Sequence, residues 1–158
     1  VEFDMVQVLE VAMDLLAPRA FGAGLELVSE ISPAIPQNLL GDPVRIRQVV
    51  LNLMTNAIKF TDEGHIALTV KRKEALFSIT VQDTGRGIRK EELQKVFEKF
   101  FKGNPGIQGV GLGLSIAKAL LERVNGDITL FSPGRDQGTT VAIHIPALSN
   151  GSRKIGGR

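Results

Sequence analysis

The sequence predicts an α+β fold: a two-layer α/β sandwich in which a mixed, mostly antiparallel sheet of about five strands carries three main helices on one face. Three observations lead there. Two pairs of alternating segments, 65–71 with 75–81 and 127–131 with 139–145, are each joined by a short connection and read as antiparallel neighbours. The helical segments each show a single apolar face. Strict alternation of strand and helix is missing, which excludes a doubly wound parallel sheet.

Taken in order, Val1 to Asp4 reads as a short strand or an extended lead-in. Val6, Leu9, Met13, Leu16 and Ala20 follow a helical period, with Asp4 as its cap. Pro18 is expected to kink that helix or end its regular part, and Gly22 and Gly24 close it. Leu25 to Ile31 alternates as a strand, and Ser32 to Pro36 is loop. Gly41-Asp42-Pro43 is a strong helix start, with the acid at the cap and proline at the first helical position. A long helix runs from there to Phe60, and Asp62-Glu63-Gly64 turns the chain into the first hairpin. Glu91 to Phe101 is predicted helical, and Lys102 to Gly109 is too rich in Gly and Pro to be regular. The next helix shows Ile116, Ala117, Leu120, Leu121 and Val124 on one face, and the second strand pair completes the pattern before Pro146.

A length of 158 residues suits one domain with a proper core, drawn here as residues 1–146. Residues 147–158 read as a disordered linker or appended tail. The formal charge is +2, but Arg153, Lys154 and Arg158 all fall in that acid-free tail, so the body carries no basic surface for nucleic acid. Trp and Tyr are absent, which removes the usual stacking platforms for single strands. Without cysteine there is no disulfide frame and no thiolate metal site. The two histidines, His65 and His144, read as ordinary surface or strand residues. No apolar run approaches the roughly 20 residues that span a bilayer. The chain opens mid-pattern, with no signal peptide, and reads as a fragment of a longer protein.

Three stretches carry chemistry. On the long helix, Arg45, Gln48, Asn52, Asn56 and Lys59 fall within a stripe of about 80° at 100° per residue. Two amides one turn apart and then an amine either form a polar seam against solvent or line a site, since carboxamides both donate and accept. Asn is a weak helix former, so a pair of them mid-helix invites a reason. In Asp83-Thr84-Gly85-Arg86-Gly87-Ile88, Asp83 continues the inward face of Phe77, Ile79 and Val81. A buried carboxylate needs donors: a purine amino group would serve, as would its own backbone in an Asp-Gly turn. Gly85 and Gly87 would let the backbone approach a flat ligand closely. In Gly109-Val110-Gly111-Leu112-Gly113-Leu114-Ser115, glycines at alternate positions run into a helix start. That arrangement suits phosphate, or is a flexible helix cap. It matches neither GxxxxGK[ST] nor GxGxxG. The loop before it could act as a lid, with Lys102 within reach of a phosphate. Val96, Phe97, Phe100 and Phe101 read as a core-facing helix edge.

Singly these signals are weak, but their succession is specific. Asn52 to Phe60, Asp83 to Gly87, Phe97 to Phe101, Gly109 to Gly113 and Gly138-Thr139 resemble, in order, the N box, first glycine box, F box, second glycine box and last glycine box of sensor histidine kinases. The chain is thus similar to their catalytic, ATP-binding domain, within the GHKL superfamily (Bergerat fold) of two-component kinases, DNA gyrase, heat-shock chaperones and MutL proteins. The resemblance runs from about Phe3 to Pro146. It implies that Asn56 coordinates Mg²⁺ bridging the ATP phosphates, that Asn52 sits beside the metal, and that Lys59 contacts phosphate. It implies that Asp83 accepts from the adenine amino group with Thr139 nearby through water, and that Gly85, Gly87 and Ile88 shape the base pocket. Gly109, Val110, Gly111, Leu112, Gly113 and Leu114 would form the lid hinge and phosphate wall, with Lys102 a further phosphate contact. The implied activity is γ-phosphoryl transfer from ATP to a histidine on a separate dimerisation domain, in a cytoplasmic module whose parent can be membrane-anchored. A response regulator is the implied downstream partner, and the parent is expected to be a homodimer with this fragment monomeric. No acceptor-histidine motif is present in this chain. An ATP-hydrolysing relative would place Glu where Asn52 stands; a degenerate nucleotide-binding module would have lost polar residues that are intact here.

Overall fold

The computed structural model describes residues 1–92, 110–146 and 148–149, the last two and 110–113 by their backbone. Its elements run β1 (Glu2–Phe3), α1 (Met5–Gly22), β2 (Glu26–Ile31), β3 (Leu39–Leu40), α2 (Pro43–Phe60), β4 (His65–Lys73), β5 (Leu76–Asp83), α3 (Val110–Glu122), β6 (Asp127–Phe131), β7 (Thr139–Pro146) and β8 (Leu148–Ser149). The main sheet has the order β2-β4-β5-β7-β6. Only β2 runs parallel to its neighbour, β4; the other three pairings are antiparallel. Because β2 reaches β4 through α2, that one connection supplies the long crossover a parallel pair requires.

Alternation decides the layers. Ile66, Leu68 and Val70 of β4, Phe77, Ile79 and Val81 of β5, and Ile143 and Ile145 of β7 are all buried. Their neighbours in sequence, such as Thr69, Thr80 and Ala142, are only partly covered. The buried set packs against Leu9 of α1, Val50 and Met54 of α2, and Leu121 of α3. Removing a side chain of this size from water is worth about 1.5–3 kcal/mol, which is what holds the helices to one face. A second, small sheet in the order β1-β3-β8 joins three two-residue strands. Neither β3 nor β8 is foreseen in the sequence, and β8 lies past the Pro146 at which the pattern was expected to end.

Both helix caps behave as their sequences require. Asp4 Oδ1 accepts from Val6 N–H at 2.9 Å, and Asp42 Oδ1 accepts from Arg45 N–H at 3.2 Å. Pro18 does not end α1, which continues to Gly22. Pro18 and Asp14, whose carbonyl loses its helical donor to the proline, both face solvent, where water replaces the missing bond. The expected helix at 91–101 and the Phe cluster lie outside the described residues, apart from a turn at Glu91–Glu92. Among the described residues no helix is long and apolar enough to cross a membrane.

Candidate functional site

Asp83 is the last residue of β5, paired with Ile66 on one side and Thr139 on the other. The inward phase of β5 carries its side chain to 8% exposure. Two backbone donors converge on one oxygen: Gly85 N–H at 2.9 Å and Thr139 N–H at 3.2 Å both reach Oδ1. The Gly85 bond is the Asp-Gly turn that the sequence allowed; the Thr139 bond ties in the last glycine box across the sheet. Among the described residues no hydrogen bond falls on Oδ2. Burial holds the Asp83 carboxyl above the usual carboxylate range, against the opposing pull of the Gly85 and Thr139 N–H groups.

The loop after Asp83 is braced from both sides. Arg86 N–H donates to the Phe60 carbonyl at 3.0 Å, so the C-terminus of α2 is bonded directly to the loop. Gly138 N–H donates to Gly85 carbonyl at 3.0 Å, and Asp136 N–H to Arg86 carbonyl at 2.6 Å. The Arg86 guanidinium also meets Asp62 at 3.1 Å, an exposed pair that solvent screens. The glycines are needed for these approaches. A Cβ on Gly85 would overlap the Phe60 carbonyl, and one on Gly87 (φ +69°) would overlap the Gly134 carbonyl. Close approach here is therefore to the protein's own backbone. Gly138, at φ +78°, lies against the Asp83 carbonyl in the same way. Gly138→Ala is expected to cost about 2 kcal/mol or more of stability, because it adds both an unfavourable backbone conformation and a clash. Chemical denaturation checks this, and an unshifted midpoint would show that the turn reshapes freely.

On α2, Asn52 and Asn56 are partly covered and Lys59 is exposed. Among the described residues Asn56 Nδ2 is buried without a hydrogen-bond partner. A donor left so costs about 1–3 kcal/mol. Thr61 Oγ1, directly after α2, is the other buried polar side-chain atom without a partner among the described residues. Nothing in the sequence singled it out, since it reads as a turn residue. Val110 to Gly113 form the first turn of α3, and Leu114, which follows, is buried in the core at 5% exposure. Lys102 and Gly109 lie outside the described residues, so their predicted roles are not addressed by the structure. Ile88 packs against the core edge. His144, read as an ordinary strand residue, pairs through Nδ1 with Asp127 Oδ1 at 3.0 Å, its register partner on β6.

A buried carboxylate ends β5, and the loop after it is bonded to the amide-bearing helix α2; comparison with known proteins gives the class of domain to which this arrangement belongs. Residues 41–149 match the family described as histidine kinase-, DNA gyrase B-, and HSP90-like ATPase. The chain belongs to that family. It is 32% identical to the sensor histidine kinase GacS of Pseudomonas protegens over 99% of its length, which is 18% of GacS. It is 43% identical to the sensor histidine kinase RcsC of Escherichia coli over 77% of its length, which is 13% of RcsC. In structure it is similar to full-length ShkA in complex with AMPPNP, with a TM-score of 0.85 and 29% identity, covering 94% of this chain and 31% of that one. The chain thus spans less than a fifth of the two curated relatives.

Proposed function

We propose that this domain binds Mg-ATP and transfers the γ-phosphoryl group to a histidine on a separate dimerisation domain, as the catalytic module of a sensor histidine kinase. The observation that carries the reading is Asp83: a buried carboxylate with two backbone donors on one oxygen and, among the described residues, none on the other. Its free oxygen is the acceptor for the adenine amino group, and Thr139 assists through water. Gly85, Gly87 and Ile88 give the base pocket its rigid floor.

The metal fits the donor set. The family resemblance assigns the cation to Asn56: the ion would be held by its amide oxygen, with Asn52 beside it, and among the described residues no cluster of three His, Asp or Glu side chains offers another site. Amide oxygens are hard donors of the kind Mg²⁺ accepts. When bound, the ion offsets charge on the phosphate oxygens. The protein's part is positioning: Lys59 and Lys102 hold phosphate, while Gly109 and the stretch from Val110 through Leu114 that opens α3 wall the phosphates off.

Hydrolysis is the competing reading. It needs a base for water, and the amide of Asn52 cannot accept a proton near neutral pH. The partners follow from phosphotransfer: the parent's own dimerisation domain, and a response regulator downstream, with the module on the cytoplasmic side of a homodimeric parent. Mixing the domain with candidate dimerisation domains and γ-labelled ATP is the test. Acid-labile, base-stable label on a histidine is the expected result. Fast Mg-dependent ATP turnover by the domain alone, with no label transferred, would assign it to hydrolysis instead.

A further inference from the structure

Ser132 follows β6 and is 8% exposed, and its hydroxyl sits at a junction. Ser132 Oγ accepts from Ile88 N–H at 2.9 Å. It lies 2.8 Å from the Gly138 carbonyl oxygen and 3.4 Å from that of Gly134. A hydroxyl has one proton to give, and the nearer carbonyl, Gly138, takes it. The Gly138 carbonyl and the Thr139 N–H are the two ends of one peptide unit. The far end of that unit donates to Asp83 Oδ1 at 3.2 Å.

We propose that Ser132 is a positioning residue for base recognition: by holding the Gly138–Thr139 peptide from its carbonyl side, it fixes which oxygen of Asp83 is left for the base. A peptide is planar, so this one cannot rotate its N–H away from Asp83 without breaking the bond from Ser132. A bond accepted at the carbonyl also strengthens the N–H as a donor, which keeps Oδ1 engaged. The same hydroxyl anchors Ile88 and hence the far end of the loop that begins at Gly85. Ser132 thus locks both walls around Asp83 while being aimed at neither the base nor the phosphates. The inference rests on the reading of Asp83 as the base acceptor.

The test is calorimetric titration of the 158-residue chain with ATP and with inosine triphosphate, which carries a carbonyl where adenine has its amino group. The unaltered protein is expected to prefer ATP. Ser132→Ala should narrow that preference about tenfold, through weaker ATP binding, since it loosens a hydrogen bond to a charged group. Ser132→Thr, which keeps the hydroxyl, should recover most of it. Equal loss of both nucleotides in Ser132→Ala, or no loss, would overturn the positioning role. An unaltered protein that binds both nucleotides alike would instead overturn the reading of Asp83 itself. If Ser132→Ala melts below the assay temperature, Ser132→Cys carries the same comparison, because a thiol is a longer and weaker partner. Its preference should fall between those of the unaltered protein and one lacking the bond, and an unchanged preference would count against the proposal.

Discussion

Asp83→Asn is expected to weaken ATP binding roughly 100-fold while leaving the ligand-free fold at least as stable at neutral pH. The two halves share one cause. Gly85 and Thr139 both donate to Oδ1, so an asparagine must place its carbonyl there and its NH₂ where Oδ2 was. That NH₂ then faces the adenine amino group, donor against donor. Stability moves the other way because the folded pKa of Asp83 is raised. Folded Asp83 holds its proton more tightly than the unfolded chain does. Stability is therefore highest below the unfolded pKa and falls as pH rises through the folded one. Above the folded pKa the whole of that loss is present, and the asparagine removes it. Melting curves from pH 7 downward should show the variant ahead at neutral pH and the gap closing as Asp83 protonates. A variant less stable than its parent at pH 7, or one with undiminished ATP affinity, would contradict this account.

Asn56→Ala should lower phosphoryl transfer by about 100- to 1,000-fold. The same change should raise the melting temperature of the ligand-free domain. It deletes a buried donor that has no partner among the described residues and replaces a weak helix former by the strongest one, a gain of about 0.5–0.7 kcal/mol from propensity alone. Transfer is read from labelled phosphohistidine in the presence of a dimerisation domain, and stability from a thermal melt without nucleotide. If the alanine protein melted lower, Asn56 would be holding the helix together, and the case for a ligand at that side chain would fall. Both substitutions thus trade ligand for stability, the behaviour expected where a site is built from groups the fold would be better without.

Much of this was readable in the chain. The strand pairs and α2 declared themselves because their periods, 2 and about 3.6, are sustained over enough residues to be distinguished. The inward phase of Asp83 followed from counting in twos from Phe77. The small sheet escaped because strands of two residues, such as Leu39–Leu40, are too short to show any period. The parallel place of β2 beside β4 escaped because pairing partners are set by how α2 folds back, which no local pattern records. Ser132 and Ile88 are 44 positions apart, so their bond had no signature near either residue. The sequence marks Gly85 and Gly87 for close backbone approach, but toward a flat ligand; the neighbours that demand it, the Phe60 and Gly134 carbonyls, are supplied by the fold.

The bond from Arg86 N–H to the Phe60 carbonyl has a practical side. It fuses the helix bearing the two amides to the loop that follows the Asp83 carboxylate, with a glycine at the joint leaving no slack. On the proposed reading of Asp83, a compound that mimics adenine is expected to meet a template already set, with little ordering left to do on binding. Small fragments presenting an amino donor to Asp83 should rank in the same order whether or not a triphosphate tail is attached, which makes this corner a sound starting point for inhibitor design.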